Sequence, residues 1–350
     1  MLKDKGITSR KLILPIAAII ALIAAVTSMK QKSVEYQKDS GMVFGTIYNI
    51  TYQHKDNLKG EIENALKGVD QSLSMFNQES VIARVNNNKV VKLDENFIKV
   101  FRIAENVNRE TNGAFDITVA PLVNAWGFGF KNNDMPDKHQ VDSLRSIIGM
   151  DKVKLVEQMD GKAFPHIEKT DDRVMLDCSA IAKGYGVDVV ADLLRSKGIT
   201  DFMVEIGGEV VTSGINPSRV PWKIGVVKPT DDSLSTGSEL QTCLNVTDKA
   251  MATSGNYRNF YYKGGKKYAH TIDPKTGYPV QHNILSATVL AEDCATADAY
   301  ATSFMVMGLE GAKKVLAKHK ELMVYFIYSD TKGQSAVWFS PSLRDKIEGE

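Results

Sequence analysis

An aspartate and a threonine stand four residues apart in the stretch Ala297–Thr302, which reads ADAYAT. On a helix, Asp298 and Thr302 would lie on one face about one turn apart. A carboxylate and a hydroxyl are hard oxygen ligands that suit Mg²⁺, because this ion keeps several waters and uses few protein groups. The spacing leaves a second interpretation open, in which Asp298 only marks a helix N-terminus and Thr302 bonds back to its own helix backbone.

A lysine and an aspartate stand out in a second chemically informative segment, which reads DCSAIAKGYGVD from Asp177. Lys183 falls just inside a helix that we predict to begin near Ser179, and Asp177 precedes it. Free backbone N–H groups at a helix start, together with a lysine, favour phosphate or another anion. Alternatively, Asp177 is only a helix cap and Lys183 is a solvated surface charge.

Two further segments contain residue types that often approach a ligand. His270 stands three residues before Asp273 in a stretch closed by Pro274 and Gly277, and a histidine in such a loop can act as a general base near neutral pH. A structural or surface histidine fits the same pattern. The two glycines Gly207 and Gly208 follow a strand that we predict to be buried. They indicate either close approach of the backbone to a ligand or a sharp turn.

Short strand-like runs and amphipathic helices must position these side chains. The predicted strands are Gly45–Tyr52, Lys152–Val156, Phe202–Ile206, Trp222–Val227, Ser286–Leu290, and a hairpin of Met323–Tyr328 with Ala336–Phe339. The predicted helices are Glu61–Phe76, Asn96–Thr111, Val141–Ile148, Ile181–Lys197, Ala295–Met307, which Gly308 ends, and Ala312–His319. Because strands and helices follow no regular alternation, we predict an α+β fold with mixed sheets and packed helices.

Composition excludes several functional classes. The 350 residues include 43 Lys+Arg and 42 Asp+Glu, a balance that offers no concentrated basic surface for nucleic acid. The chain contains neither a GxGxxG nor a GxxxxGK[ST] loop, so the usual dinucleotide and P-loop signatures are missing. Its three cysteines are widely spaced and form no zinc pattern, and we expect buried free thiols.

The N-terminus has the pattern of a secretory signal or a signal anchor. Basic residues precede an apolar run, Leu12–Val26, which is shorter than the roughly 20 apolar residues that a spanning helix needs. We therefore expect export, to the periplasm or the outer face of the inner membrane, with cleavage left open. The predicted division is a signal peptide or anchor over 1–29, a polar linker over 30–40 and one globular domain over 41–345.

Several separate segments together resemble the ApbE family of FAD:protein FMN transferases, in that family's order, from about Gly41 to Gly308. The segments read GT at Gly45, MFNQESVIARVN from Met75, GAFDITVAPLVNAWGFG from Gly113, DCSAIAKGYGVD from Asp177, EIGGE from Glu205, TSGNYR from Thr253, HTIDPKTG from His270 and ADAYAT from Ala297.

The resemblance implies an ApbE-like fold that binds FAD as a substrate, with Mg²⁺ at its diphosphate. Carried over residue by residue, FAD contacts fall at Met42, Phe76, Ala114, Phe115, Asp116, Asp177, Lys183 and Ile272. The implied metal ligands are the Ala180 carbonyl and the side chains of Asp298 and Thr302. His270 and Asp298 are the implied catalytic residues, with His270 assisting deprotonation of the acceptor hydroxyl.

The implied reaction moves FMN from FAD to a threonine or serine hydroxyl of a second protein and releases AMP. The resemblance suggests as acceptor a flavin-carrying subunit of a membrane redox complex, such as a sodium-pumping NADH:quinone reductase or an Rnf-type complex. The same residues would serve a pyrophosphatase that uses water as acceptor. A non-catalytic FAD-binding protein and a redox flavoenzyme are further alternatives, although the first has little use for a metal site and the second lacks a nicotinamide-binding fingerprint.

Overall fold

The computed structural model describes residues 35–129, 135–157, 164–229, 239–256 and 260–348. The helices are α1 Lys59–Leu73, α2 Val81–Asn86, α3 Glu95–Glu110, α4 Ala120–Ala125, α5 Lys138–Arg145, α6 Ala182–Ser196 and α7 Cys294–Leu316, with 3₁₀ turns at Met150–Lys152 and Pro341–Lys346. The strands are β1 Tyr36–Val43, β2 Thr46–Gln53, β3 Val153–Val156, β4 His166–Lys169, β5 Phe202–Ile206, β6 Glu209–Ser213, β7 Lys223–Val227, β8 Leu240–Asn245, β9 Ala250–Gly255, β10 Phe260–Lys263, β11 Lys266–Ala269, β12 Ile284–Ala291, β13 Met323–Ser329 and β14 Ser335–Phe339.

An eight-stranded sheet forms the centre of the fold, in the order β1-β2-β5-β6-β9-β12-β13-β14, with antiparallel neighbours throughout. Three small antiparallel pairs, β3-β4, β7-β8 and β10-β11, accompany it. The central strands carry small or β-branched residues, and their buried side chains form the sheet's share of the core.

Two helices cover the middle of the sheet and also contact each other. Helix α7 packs on β9 and β12, and helix α6 packs on β5 and β6. The close approach of α6 to α7 requires glycine at position 184, because a Cβ there would lie 2.3 Å from the Cys294 carbonyl oxygen. The first turns of both helices are thereby held side by side.

The beginning and the bend of α7 follow from its sequence. Asp293 caps the helix, because its side chain accepts a hydrogen bond from the Thr296 N–H at 2.8 Å. Gly308 interrupts the helix with φ +70° and ψ 173°, a backbone conformation that favours glycine. We predict one helix that ends at Gly308 and another that begins beyond it. Both are confirmed, as the two arms of α7 on either side of Gly308.

The predicted α+β class, with mixed sheets and packed helices, is confirmed. Each predicted helix and strand has a counterpart with ends shifted by a few residues. The predicted linker over 30–40 is wrong for its second part, because residues 36–40 belong to β1 and pair with β2. This strand lies at the sheet edge, where polar side chains can face solvent, and its polar sequence therefore resembles a linker.

The predicted signal or anchor at 1–29 lies outside the described residues. Among the residues that the structure does describe, no helix is long and apolar enough to cross a membrane.

Candidate active site

A half-buried lysine lies between two buried carboxylates where α6, β6 and α7 meet. Lys183 Nζ is 3.0 Å from Glu209 Oε1 and 3.6 Å from Asp298 Oδ2. Asp298 Oδ2 also accepts the Gly184 N–H at 3.2 Å. The two acids are 3% and 2% exposed, so two buried carboxyl groups share the ammonium of Lys183. Lys183 is therefore not a solvated surface charge.

Burial and mutual charge shift these groups in defined directions. Burial lowers the pKa of Lys183, but the carboxylates of Asp298 and Glu209 outweigh it and raise the pKa above its ordinary value. The ammonium is therefore charged at neutral pH. Burial raises the pKa of Glu209, and the charge of Asp298 raises it further, whereas Lys183 lowers it. Within the described part of the chain, Glu209 Oε2 has no hydrogen-bond partner.

A tight turn places Glu209 at this position. Gly207 and Gly208 join β5 to β6, where Ile206 pairs with Glu209, and both have positive φ values of +64° and +105°. The Gly208 N–H donates to Glu205 Oε1 at 2.7 Å and fixes the turn. The sequence left open a sharp turn or close approach to a ligand; the pair forms the turn and also lines the cavity described below.

The N-terminus of α7 is anchored on α6 by Asp188. Its two oxygens accept the Cys294 and Ala295 N–H groups, both at 2.8 Å. Burial raises the pKa of Asp188 to about 7, although these two hydrogen bonds oppose the shift. Because Asp298 lies in the second turn of α7, this anchor fixes the position of Asp298 relative to Lys183.

Thr302 lies one turn beyond Asp298, as the spacing predicts. Its Oγ1 is 3.1 Å from Ser254 Oγ on β9, so its hydroxyl contacts the sheet. The alternative in which Asp298 only marks the helix start is wrong, because Asp293 is the cap of α7. Asp177 does not cap α6 either: its Oδ1 accepts the Ser179 N–H at 2.7 Å, in a turn that precedes the helix.

One cavity of about 550 Å³ joins these groups, a size in the range of small-molecule sites. Ten of the twelve site residues expected from the sequence line it: Ala114, Phe115, Asp116, Asp177, Ala180, Lys183, His270, Ile272, Asp298 and Thr302. The other two, Met42 on β1 and Phe76 after α1, are 71% and 75% exposed and are not among the described lining residues. Apolar residues such as Val119, Val123 and Val226 complete the wall.

The loop that carries His270 is built as its glycine and proline predict. Asp273 N–H donates to the Tyr278 carbonyl at 3.0 Å, and Gly277, with φ +79°, donates back to the Asp273 carbonyl at 2.8 Å. Trp126 Nε1 donates to the Gly277 carbonyl at 2.8 Å and ties the loop to α4. The His270 ring faces the edge of Phe128 at the cavity wall.

Asp116 is turned toward its own loop. Its Oδ1 accepts the Thr118 N–H at 2.8 Å and the Thr118 hydroxyl at 2.6 Å. Burial raises the pKa of Asp116, while these hydrogen bonds lower it. The carboxylate therefore shapes the loop Ala114–Ile117, which forms one wall of the cavity.

Two polar residues next to the expected metal ligands are not among the site residues expected from the sequence. Glu209 and Ser254 line the cavity beside Asp298 and Thr302, respectively. A signal for Glu209 exists in the sequence: it is the one charged residue of EVVTS, the segment that follows the two glycines. The signal for Ser254 is its place in the segment TSGNYR, which the family resemblance includes, because a serine near the end of a strand is otherwise common.

A cavity that combines a half-buried ammonium, two buried carboxylates and a hydroxyl has the polar groups of an enzyme site for a small molecule. The model of the ApbE family matches residues 44–326. The FAD:protein FMN transferase of Vibrio cholerae is 36% identical over 311 residues, which cover 86% of this chain and 90% of that protein. The FAD:protein FMN transferase of Haemophilus influenzae is also 36% identical, over 91% of this chain and 94% of its own.

The solved structure of the flavin transferase ApbE from Vibrio cholerae superposes with a TM-score of 0.77 at 35% identity, covering 89% of this chain and 99% of that one. The chain therefore belongs to the ApbE family.

Proposed function

We propose that this chain is a magnesium-dependent enzyme that transfers FMN from FAD to a threonine or serine hydroxyl of another protein and releases AMP. The observation that carries the proposal is the cavity in which Lys183, Asp298, Thr302 and Ala180 converge. The family membership and the names of the relatives, which cover almost the whole chain, support the same reaction.

The residues present fit a magnesium ion. Asp298, Thr302 and the Ala180 carbonyl would hold it, and all three offer hard oxygen atoms. Among the described residues, no group of three or more His, Cys, Asp or Glu could hold a metal. Mg²⁺ does not need such a group, because it is commonly bound by one or two carboxylates together with substrate phosphates and water. When bound, it would neutralise diphosphate charge and stabilise the leaving AMP.

The substrate would be held by the first turn of α6 and by apolar walls. The Lys183 ammonium would favour the diphosphate because it presents a positive charge to an anion, and the N-terminus of α6 adds the positive end of its helix dipole. Ala114, Phe115 and Ile272 line the same cavity and would contact the apolar parts of FAD. Contacts of FAD with Met42 and Phe76 stay a prediction.

The transfer step needs positioning and charge neutralisation more than covalent help from the enzyme. His270 would accept the proton of the acceptor hydroxyl, and the hydroxyl oxygen would form a bond to the FMN-side phosphorus. The bond from that phosphorus to the bridging oxygen would break, and AMP would leave with that oxygen. Lys183 would stabilise the negative charge on the phosphates during this exchange.

We further propose that the protein acts outside the cytoplasm, tethered or exported by the apolar run Leu12–Val26. The acceptor would then be a membrane redox subunit with an exposed threonine or serine motif.

The test uses the purified part from about Lys32, incubated with FAD, Mg²⁺ and a candidate acceptor subunit. Intact-protein mass spectrometry is expected to detect an FMN adduct on the acceptor, absent with Asp298→Ala and with the acceptor threonine changed to alanine. Asp192→Ala is the matched control, because Asp192 is an exposed aspartate whose described partner is Arg195. Release of FMN and AMP without an adduct, across all candidate acceptors, would favour a pyrophosphatase activity. FAD that stays intact would refute the proposal that the protein is an enzyme acting on FAD.

A further inference from the structure

Glu209 is held in an unusual way for a buried carboxylate. It is 3% exposed, its Oε1 receives the Lys183 ammonium at 3.0 Å, and its Oε2 has no partner among the described residues. A buried carboxylate with an unsatisfied oxygen is costly, so its retention in a cavity wall points to a task in the bound state. Glu209 is not among the site residues that the family resemblance implies.

The task follows from the charges around Asp298. The Lys183 ammonium lies 3.6 Å from Asp298 Oδ2. It therefore competes with a divalent cation for the same position and for the same negative charge. Two cations on one carboxylate repel each other strongly in a buried site. A cation can therefore bind Asp298 only if the ammonium retains a second negative partner, and Glu209 is the carboxylate already in contact with it.

We propose that Glu209 sets the affinity of this site for a divalent cation by holding the Lys183 ammonium away from Asp298. This inference rests on the magnesium site of the proposed function. Glu209 is thus a positioning residue that acts through Lys183. Its position depends on the two-glycine turn between β5 and β6, which fixes the start of β6 against α6.

The test measures binding of Mn²⁺ alone, by electron paramagnetic resonance of the free ion, with AMP added in a second series. Glu209→Gln keeps the size of the side chain and removes its charge. We expect it to weaken Mn²⁺ binding by about 10- to 100-fold, the range typical of groups that support metal ligands. Lys183→Met removes the competing ammonium and is expected to tighten Mn²⁺ binding.

The double variant Lys183→Met/Glu209→Gln separates an action through Lys183 from direct coordination. If Glu209 acts through Lys183, changing Glu209 should have no further effect once Lys183 is removed. The double variant and Lys183→Met should then have Mn²⁺ affinities within about twofold of each other. An equal loss on changing Glu209 with and without Lys183 would show direct coordination and overturn the proposal. Unchanged binding by Glu209→Gln would overturn it as well.

Asp298→Ala separates this inference from the proposed function. If Asp298→Ala leaves Mn²⁺ binding unchanged, or the unaltered protein binds no Mn²⁺ in either series, the metal site itself is wrong. If Asp298→Ala abolishes binding and Glu209→Gln does not alter it, only the role of Glu209 is wrong. Thermal unfolding without metal monitors folding. If Glu209→Gln does not fold, Lys183→Met tests the proposal alone. Unchanged or weaker Mn²⁺ binding by Lys183→Met would refute the competition between the Lys183 ammonium and the cation for Asp298.

Discussion

Replacing Asp188 with alanine should loosen the junction on which the site is built. The side chain accepts two N–H groups at the start of α7, each at 2.8 Å. A hydrogen bond to a charged group contributes about 1.5 kcal/mol or more, so losing both should cost about 3 kcal/mol of unfolding free energy. Asp188→Asn keeps one acceptor oxygen and should lose about half as much.

The assay is equilibrium unfolding in urea at pH 8, where the carboxylate is ionised. The matched control is Asp192→Ala, one turn along the same helix, whose side chain is 73% exposed and pairs with Arg195. An exposed pair of this kind contributes at most about 1 kcal/mol. Mn²⁺ binding should weaken in Asp188→Ala and stay unchanged in the control, because Asp298 lies in the helix that Asp188 anchors.

The pH dependence provides a second readout for Asp188. Its pKa is about 7 in the folded protein, above the unfolded value of roughly 3.9, so the folded state holds a proton that the unfolded state releases. The stabilisation linked to this proton is therefore fully present below about pH 4 and is lost as the pH rises through 7, whereas the two N–H hydrogen bonds to the carboxylate persist above that pH. The curves of unfolding free energy for the unaltered protein and Asp188→Ala should converge with rising pH. Equal losses in Asp188→Ala and the control, or curves that diverge with rising pH, would refute this reasoning.

Three further predictions follow from single contacts. Gly184→Ala should destabilise the protein by about 1–3 kcal/mol in urea, because its Cβ would meet the Cys294 carbonyl oxygen at 2.3 Å; no loss would show that the two helices can separate freely. Thr302→Val should weaken Mn²⁺ binding about tenfold while Thr302→Ser retains it, and equal binding by both variants would exclude the hydroxyl as a ligand. Ser286→Ala should be neutral or stabilising within about 1 kcal/mol, because among the described residues its buried hydroxyl has no partner, and a clear loss would reveal one.

Secondary structure with strong periodicity could be predicted from the sequence. The range Ile181–Lys197 predicted for helix α6 and the range predicted for strand β5 agree with the structure within one residue, because apolar spacing and the glycines beyond them mark the boundaries; the start near Ser179 is about three residues too early. Strand β9 was missed: its sequence, AMATSG, is poor in β-branched and aromatic residues. It forms because β6 and β12 pair with its two edges and α7 covers it, and these partners are distant in sequence.

The candidate site shows the same limit. The i,i+4 relation of Asp298 and Thr302 follows from helix geometry and could be predicted. The contact of Lys183 with both carboxylates depends on how α6, β6 and α7 pack, which no local pattern encodes. The family resemblance brought Lys183 and Asp298 together as site residues, but it did not single out Glu209 as the residue that joins them.

The wide separation of these residues along the chain has a consequence for when the site exists. Lys183 and Glu209 are 26 residues apart, and the Gly184 N–H that holds Asp298 is 114 residues from it. An incomplete or unfolded chain therefore lacks the proposed metal and phosphate site, and a ligand of that site would bind only the native state and stabilise it. The chain must be complete through α7, and its long-range strand pairs must be formed, before it can act on a flavin nucleotide. Binding of Mn²⁺ would thus report completion of folding, and fragments that end before α7 should be inert.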